Sequence, residues 1–156
     1  MRLRIITMGT RLPDWVKAGY EDYARRLPRD WPLELIELRP EGRGASRSTE
    51  QILAAEAQRL EAQCGNDGIR VVLDEKGAPW TTALLAQKLA AWDGAGRRTD
   101  FLVGSADGLA ATIKARADAV WSLSGGTLPH GLVRVVLAEQ LYRAVSLLRG
   151  HPYHRA

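Results

Sequence analysis

Short β-rich runs alternate with longer helical ones along the whole chain, and that alternation leaves few folds open. Residues 3–8, 33–38, 69–73, 99–103 and 120–123 read as strands. The runs at 69–73 and 99–103 are apolar enough to be buried on both faces, whereas Leu33, Leu35 and Ile36 set against Glu34 and Glu37 mark a half-buried strand. Between them lie helical stretches. Pro13-Asp14-Trp15 opens one that runs to about Leu27, with Trp15, Tyr20, Tyr23 and Leu27 at helical spacing. Ser48-Thr49-Glu50 leads into a second that ends near Cys64-Gly65, and Thr81 caps a third through Trp92, stopped by Gly94 and Gly96. A short helix at 110–117 and a long apolar one at 132–148 complete the set. Strands joined by helices pair in parallel, because a crossover returns the chain to the same end of the sheet. The expected fold class is therefore α/β, one domain over residues 1–156, with a mainly parallel sheet flanked by helices.

Several function classes fall away on simple grounds. No apolar run approaches the roughly 20 residues that cross a bilayer, and Met1-Arg2-Leu3-Arg4 is too charged and too short to open a secretory signal. The single cysteine, Cys64, excludes an internal disulfide and a cysteine zinc cluster within one chain, so the expected location is the cytoplasm with no membrane partner. A net charge of +4, mainly from arginine, suits a polyanion partner without requiring one. Neither Gly-x-Gly-x-x-Gly after the first strand nor a Gly-Lys-Ser/Thr phosphate loop is present, which argues against dinucleotide oxidoreductases and NTPases. Gly-x-Ser-x-Gly is missing too, and with it the usual serine-hydrolase signature.

Ligands of open parallel sheets gather at the carboxyl ends of the strands. Three segments leave strands there through unusual residues: Leu73-Asp74-Glu75-Lys76-Gly77, Gly104 to Gly108, and Ser124 to His130. Their glycines allow a ligand close to the main chain, so together they outline a pocket of backbone donors and acceptors. All three histidines, His130, His151 and His154, fall late in the chain. His151 and His154 have a spacing that zinc ligands use, but no carboxylate lies near them in sequence, and no metal is expected. An acid–base or substrate-contact role fits them better.

The C-terminal third resembles one family specifically. Leu123-Ser124-Gly125-Gly126-Thr127-Leu128-Pro129-His130, Leu132-Val133-Arg134, Ala138 to Ala144 and His151-Pro152-Tyr153-His154-Arg155 are similar to the ribosomal RNA large subunit methyltransferase H family, of the SPOUT superfamily. Gly9-Thr10, Pro13-Asp14-Trp15-Val16, Arg25-Arg26, and Leu73-Asp74 with Gly77 and Trp80 extend the resemblance over essentially the whole chain. It implies a SPOUT fold with a C-terminal deep trefoil knot, a homodimer, and S-adenosylmethionine (SAM) as methyl donor. The implied reaction is methylation of N3 of a pseudouridine in large-subunit (23S) ribosomal RNA, within the assembled 70S ribosome. By the same resemblance, Leu73, Gly104, Leu123, Ser124, Gly125, Gly126, Thr127 and Leu128 would bind the cofactor. The tail residues Tyr153, His154 and Arg155 would carry catalysis, with His154 or Arg155 acting beside the partner's SAM, and Arg134 would orient the base or close the interface. Two positions depart from the pattern: Gly104-Ser105 stands where the family has Gly-Gly, and the chain ends in Ala156 rather than an acidic residue. Competing expectations are a SPOUT enzyme acting on transfer RNA and a non-catalytic ribosome-binding protein.

Overall fold

In a computed structural model, residues 1–9, 11–44 and 46–155 are described, and five parallel strands form one sheet in the order β2-β1-β4-β3-β5. The strands are β1 (Leu3–Met8), β2 (Leu33–Leu38), β3 (Ile69–Pro79), β4 (Thr99–Val103) and β5 (Ala119–Ser122). The helices are α1 (Asp14–Ala24), α2 (Thr49–Cys64), α3 (Thr82–Gly94), α4 (Ala111–Ala115) and α5 (His130–Leu148), followed by a 3-10 turn at Pro152–His154.

The two-residue period of the strands sorts their side chains into two cores. Leu3, Ile5, Val71, Phe101 and Val103 face α1, α3 and α5, where Tyr20, Leu85, Leu89, Leu137 and Leu141 close the layer. Ile6, Met8, Val72 and Leu102 face the other way, onto Ala57, Leu60 and Cys64 of α2 and Ile113 of α4. β1 and β4 are buried throughout, whereas β2, at one edge, keeps Glu34 and Glu37 in solvent as its alternation implies. Local chemistry starts the helices. Ser48 Oγ accepts from Gln51 N–H while the Gln51 side chain accepts from Ser48 N–H, a reciprocal cap, and Thr81 Oγ1 accepts from Leu84 N–H at 3.1 Å.

The sequence-based boundaries hold closely for β1, β2, β4 and α2 and shift elsewhere. α1 stops at Ala24, and the buried Leu27 is carried by the turns that follow. β5 lies one residue earlier than expected, and α5 begins at His130 instead of 132. The largest difference is in β3, which runs on to Pro79 instead of ending at Leu73. Leu73 and Ala78 both register with Trp121, so residues 74–77 bulge out of the ladder before the strand rejoins β5. Gly77 makes the return possible: a Cβ there would lie 2.7 Å from the Val120 carbonyl oxygen and 2.8 Å from Trp121 backbone atoms. Just beyond, Trp80 stacks on the buried Trp121 at 4.9 Å, with Lys88 above its ring.

At the amino ends of the strands sits a charged cluster. Asp100, fully buried, accepts two hydrogen bonds from Arg4 (2.7 and 2.9 Å) and two from Arg98 (3.0 and 3.1 Å). Beside it Arg70 grips Glu61 and the Gly65 carbonyl. The opposite end of the sheet is left open for a pocket.

Candidate active site

A cavity of about 530 Å³ opens at the carboxyl ends of β3, β4 and β5. That volume lies within the range of small-molecule sites. Its walls come from Leu73 and the bulge at Asp74-Glu75-Lys76, from Val103 to Leu109, from the 122–128 stretch, and from His130 and Val133 at the start of α5. Apolar side chains and glycines make up about half of this lining, and polar or charged side chains, among them Asp74, Glu75, Lys76, Asp107 and Lys114, make up the rest.

Two turns shape the main-chain walls. In the first, Gly108 N–H donates to the Ser105 carbonyl at 2.9 Å, and the loop folds so tightly that a Cβ on Gly104 would lie 2.3 Å from the Gly108 carbonyl oxygen. Only glycine fits there. In the second, Ser122 Oγ donates to the Ser124 carbonyl (3.1 Å), and Ser124 Oγ accepts from Gly126 N–H (3.0 Å). Ser122, at the end of β5, and Ser124 beyond it thus hold the backbone in its turn.

Among the titratable groups of the lining, Asp74 and His130 are shifted from their ordinary ranges. Asp74 on the bulge pairs with Lys114 of α4 at 2.7 Å, and this hydrogen bond is the main reason its carboxyl titrates below the usual range. His130, in the first turn of α5, is held below the ordinary imidazole value chiefly by burial, with the nearby Met8 backbone working the other way. Its Nε2 is shut from solvent without a well-formed partner. A neutral imidazole is therefore favoured at the cavity wall. Among the described residues, no group of three or more His, Cys, Asp or Glu side chains converges as a metal site, and no helix is long and apolar enough to cross a membrane.

Of the residues expected to bind a cofactor, Leu73, Gly104, Leu123, Ser124, Gly126, Thr127 and Leu128 line this cavity. Gly125 does not; it is exposed at the tip of the Ser124 turn. The tail residues lie elsewhere in the same chain. Tyr153 packs edge-on against Tyr142 at 4.5 Å, its hydroxyl donates to Glu139 at 3.1 Å, and the Arg143 guanidinium sits 4.9 Å from its ring. Burial, then the Tyr23 hydroxyl and the Glu139 carboxylate, push its phenol up to about 12. His154 Nδ1 contacts the His151 carbonyl, and Arg155 is exposed. None of these three reaches the cavity of its own chain. Arg134 is buried, pairing with Glu37 at 2.8 Å and reaching the Gly9 carbonyl at 3.4 Å. Thr10 and Ala156, part of the family resemblance and its departures, lie outside the described residues.

Sequence reading passed over Lys114 and gave Val133 no place at the cavity, whereas Ser105, Asp107 and His130 fall in the segments it set there. Val133 and His130 share the first turn of α5, a signal that placing the helix start at 132 concealed. Lys114 carries no local signal, because its partner lies across the sheet.

The fold and cavity define a class: a parallel α/β protein with a cavity of small-molecule size at the carboxyl ends of β3, β4 and β5, without a phosphate loop. Comparison with known proteins narrows this. The family model described as "Predicted SPOUT methyltransferase" matches residues 1–154. Proteins named "Ribosomal RNA large subunit methyltransferase H" from Nitrosospira multiformis and Burkholderia mallei are each 49% identical over 156 residues, covering 100% of both chains. A solved structure of a probable methylase family protein from Haemophilus influenzae shares the fold, with a TM-score of 0.63 at 10% identity over 99% of this chain and 70% of that one. The chain belongs to the SPOUT methyltransferase family, within the group of ribosomal RNA large subunit methyltransferases H, and is an enzyme.

Proposed function

We propose that this enzyme uses SAM to methylate N3 of a pseudouridine in 23S ribosomal RNA, on the assembled 70S ribosome, as a cytoplasmic homodimer. Residues 1–156 would form one catalytic domain, with the C-terminal segment threaded as the trefoil knot of the superfamily. The observation that carries this reading is the cavity: the glycine-shaped 104–108 wall and the serine-held 122–128 wall meet at the strand ends in a chain whose full-length relatives bear that enzyme's name.

The residues present fit such a cofactor. Leu73, Leu123, Leu128 and Val133 offer apolar surface, and the turns at Gly104 and Ser124 bring main-chain groups to its edge. No phosphate-binding helix terminus is needed, because SAM carries no phosphate. When bound, it supplies a methyl group on a cationic sulfonium. The neutral state favoured at His130 adds no further positive charge beside that cation.

The acceptor nitrogen carries a proton in the neutral base, so transfer needs alignment and a proton acceptor. His154 takes that proton and Arg155 stabilises the developing anion, both delivered to the partner's cavity. This reading is supported by a tail pinned to α5 through Tyr153, Glu139 and Arg143 yet absent from its own cavity. Exposed Trp15 on α1 and Leu148 on α5 supply apolar surface for a second copy.

The test is to incubate the enzyme with labelled SAM and ribosomes, digest the RNA and identify the labelled nucleoside by mass spectrometry. N3-methylpseudouridine is expected; any other labelled nucleoside overturns the substrate, and SAM binding with no transfer at all favours a ribosome-binding protein. Single-turnover rates place the tail: full rates in both His154→Ala and Arg155→Ala would remove it from the chemistry.

A further inference from the structure

Glu56 lies on α2, outside the cavity, and is only 2% exposed. A buried carboxylate is costly unless its oxygens are satisfied, so the partners it has acquired indicate what it organises. Oε2 accepts from Glu41 N–H at 3.0 Å and from Arg43 at 3.1 Å, both on the loop after β2. Oε1 accepts from Ser105 Oγ at 2.8 Å, on the pocket wall. Arg43 closes the ring, donating to Ser105 Oγ at 2.8 Å and to Asp107 Oδ2 at 3.0 and 3.2 Å. The ring ties α2 and the arginine loop to both side chains through which the 104–108 wall can be held from outside.

We propose that Glu56 is a positioning residue for the cofactor pocket, setting the 104–108 wall through Ser105 and Arg43 and so controlling affinity for SAM. The proposal rests on the assignment of that cavity to SAM. Gly104 has no side chain to anchor, and the turn's own bond, Gly108 N–H to Ser105 carbonyl, fixes its shape but not its place over β4. The place comes from Glu56. Glu56 touches neither cofactor nor substrate, so its removal loosens binding and leaves the chemical step alone once the pocket is filled.

The test is calorimetric titration of SAM into the full-length wild type and the variants Glu56→Ala, Glu56→Gln, Ser105→Ala and Arg43→Ala. Melting temperature and kcat at saturating cofactor are measured alongside. Glu56→Ala should raise Kd about tenfold, the worth of one hydrogen bond to a charged group. Glu56→Gln, which keeps one acceptor oxygen, should recover part of that loss. Adding Ser105→Ala to Glu56→Ala should weaken binding little further, because both break the same tether. For the Glu56 and Arg43 variants, whose side chains do not line the cavity, kcat at saturation should stay within about twofold of wild type. Folded variants with wild-type Kd overturn the inference. Should Glu56→Ala fail to fold, Arg43→Ala decides, since it opens the same ring from a side chain that does not line the cavity; unchanged Kd there is equally fatal. A wild type that binds no SAM overturns the cavity's assignment instead.

Discussion

Replacing Asp100 with alanine should separate the two ends of the sheet, costing stability at one and leaving ligand binding intact at the other. The carboxylate is fully buried and accepts four hydrogen bonds, two from Arg4 and two from Arg98. Arg4 is itself 7% exposed, and its guanidinium is raised above its ordinary range first by the Asp100 hydrogen bond. After truncation Arg4 keeps a bond to the Gln63 carbonyl at 2.9 Å, and Arg98 keeps the Cys64 carbonyl at 2.7 Å and the exposed Asp67. One buried cation then stands without a counter-charge. Breaking a buried pair from one side costs about 3–5 kcal/mol. In a domain of this size each kcal/mol lowers Tm by about 2–4 °C, so a fall of roughly 6–20 °C is expected. Asp100→Asn keeps the shape and one acceptor and should lose less, about 2 kcal/mol. Urea unfolding gives the free energies, and calorimetry on the folded fraction gives SAM affinity. A loss below about 1 kcal/mol for Asp100→Ala would refute the charge-burial reasoning. A changed SAM affinity in a folded variant would refute the independence of the two ends.

Three further outcomes are expected. His130 has a folded pKa below its unfolded value, so its contribution is present above about pH 6.5 and is lost as pH falls through the lower folded value. Unfolding free energy measured from pH 7 down to 5 should therefore drop more steeply for wild type than for His130→Gln; equal slopes would contradict this. Gly104→Ala sets a Cβ against the Gly108 carbonyl and should cost about 1–3 kcal/mol with loss of SAM binding, whereas Gly42→Ala, with nothing within 4 Å, should stay within about 0.5 kcal/mol of wild type. Melting curves and titrations of the pair check it. Tyr153→Phe removes the bond to Glu139 and should slow methyl transfer about tenfold with SAM affinity unchanged, read from single-turnover rates and calorimetry.

What was legible in the sequence follows the range of the forces involved. β1, β2 and β4 are visible because burial and two-residue alternation are local signals, the 104–108 wall because its tight turn needs glycine at 104 and 108, and the 124–128 wall because Ser124 closes its turn on a main-chain N–H two residues on. The run of β3 to Pro79 is not visible. Its apolar pattern stops at the charged Asp74-Glu75-Lys76, and the strand resumes only because Ala78 meets Trp121, more than 40 residues away in sequence. Gly125 looks like its neighbours in the same motif, yet the Ser124 turn carries it to the outside. The same reason hides the polar partners. Lys114 for Asp74, Arg43 for Asp107 and Glu56 for Ser105 each come from a different element, brought together by the sheet and not by spacing. Tail placement is partly legible: Pro152 and Tyr153 signal an anchored end, but its docking on Glu139 and Tyr142 is a tertiary contact.

Methyl transfer from labelled SAM, offered in parallel to purified 70S ribosomes, isolated 50S subunits and bulk transfer RNA, tests the central claim most directly. Label confined to large-subunit RNA and strongest with 70S ribosomes is the expected result. Label in transfer RNA would contradict it, keeping the fold and the cofactor pocket but giving this enzyme a different substrate.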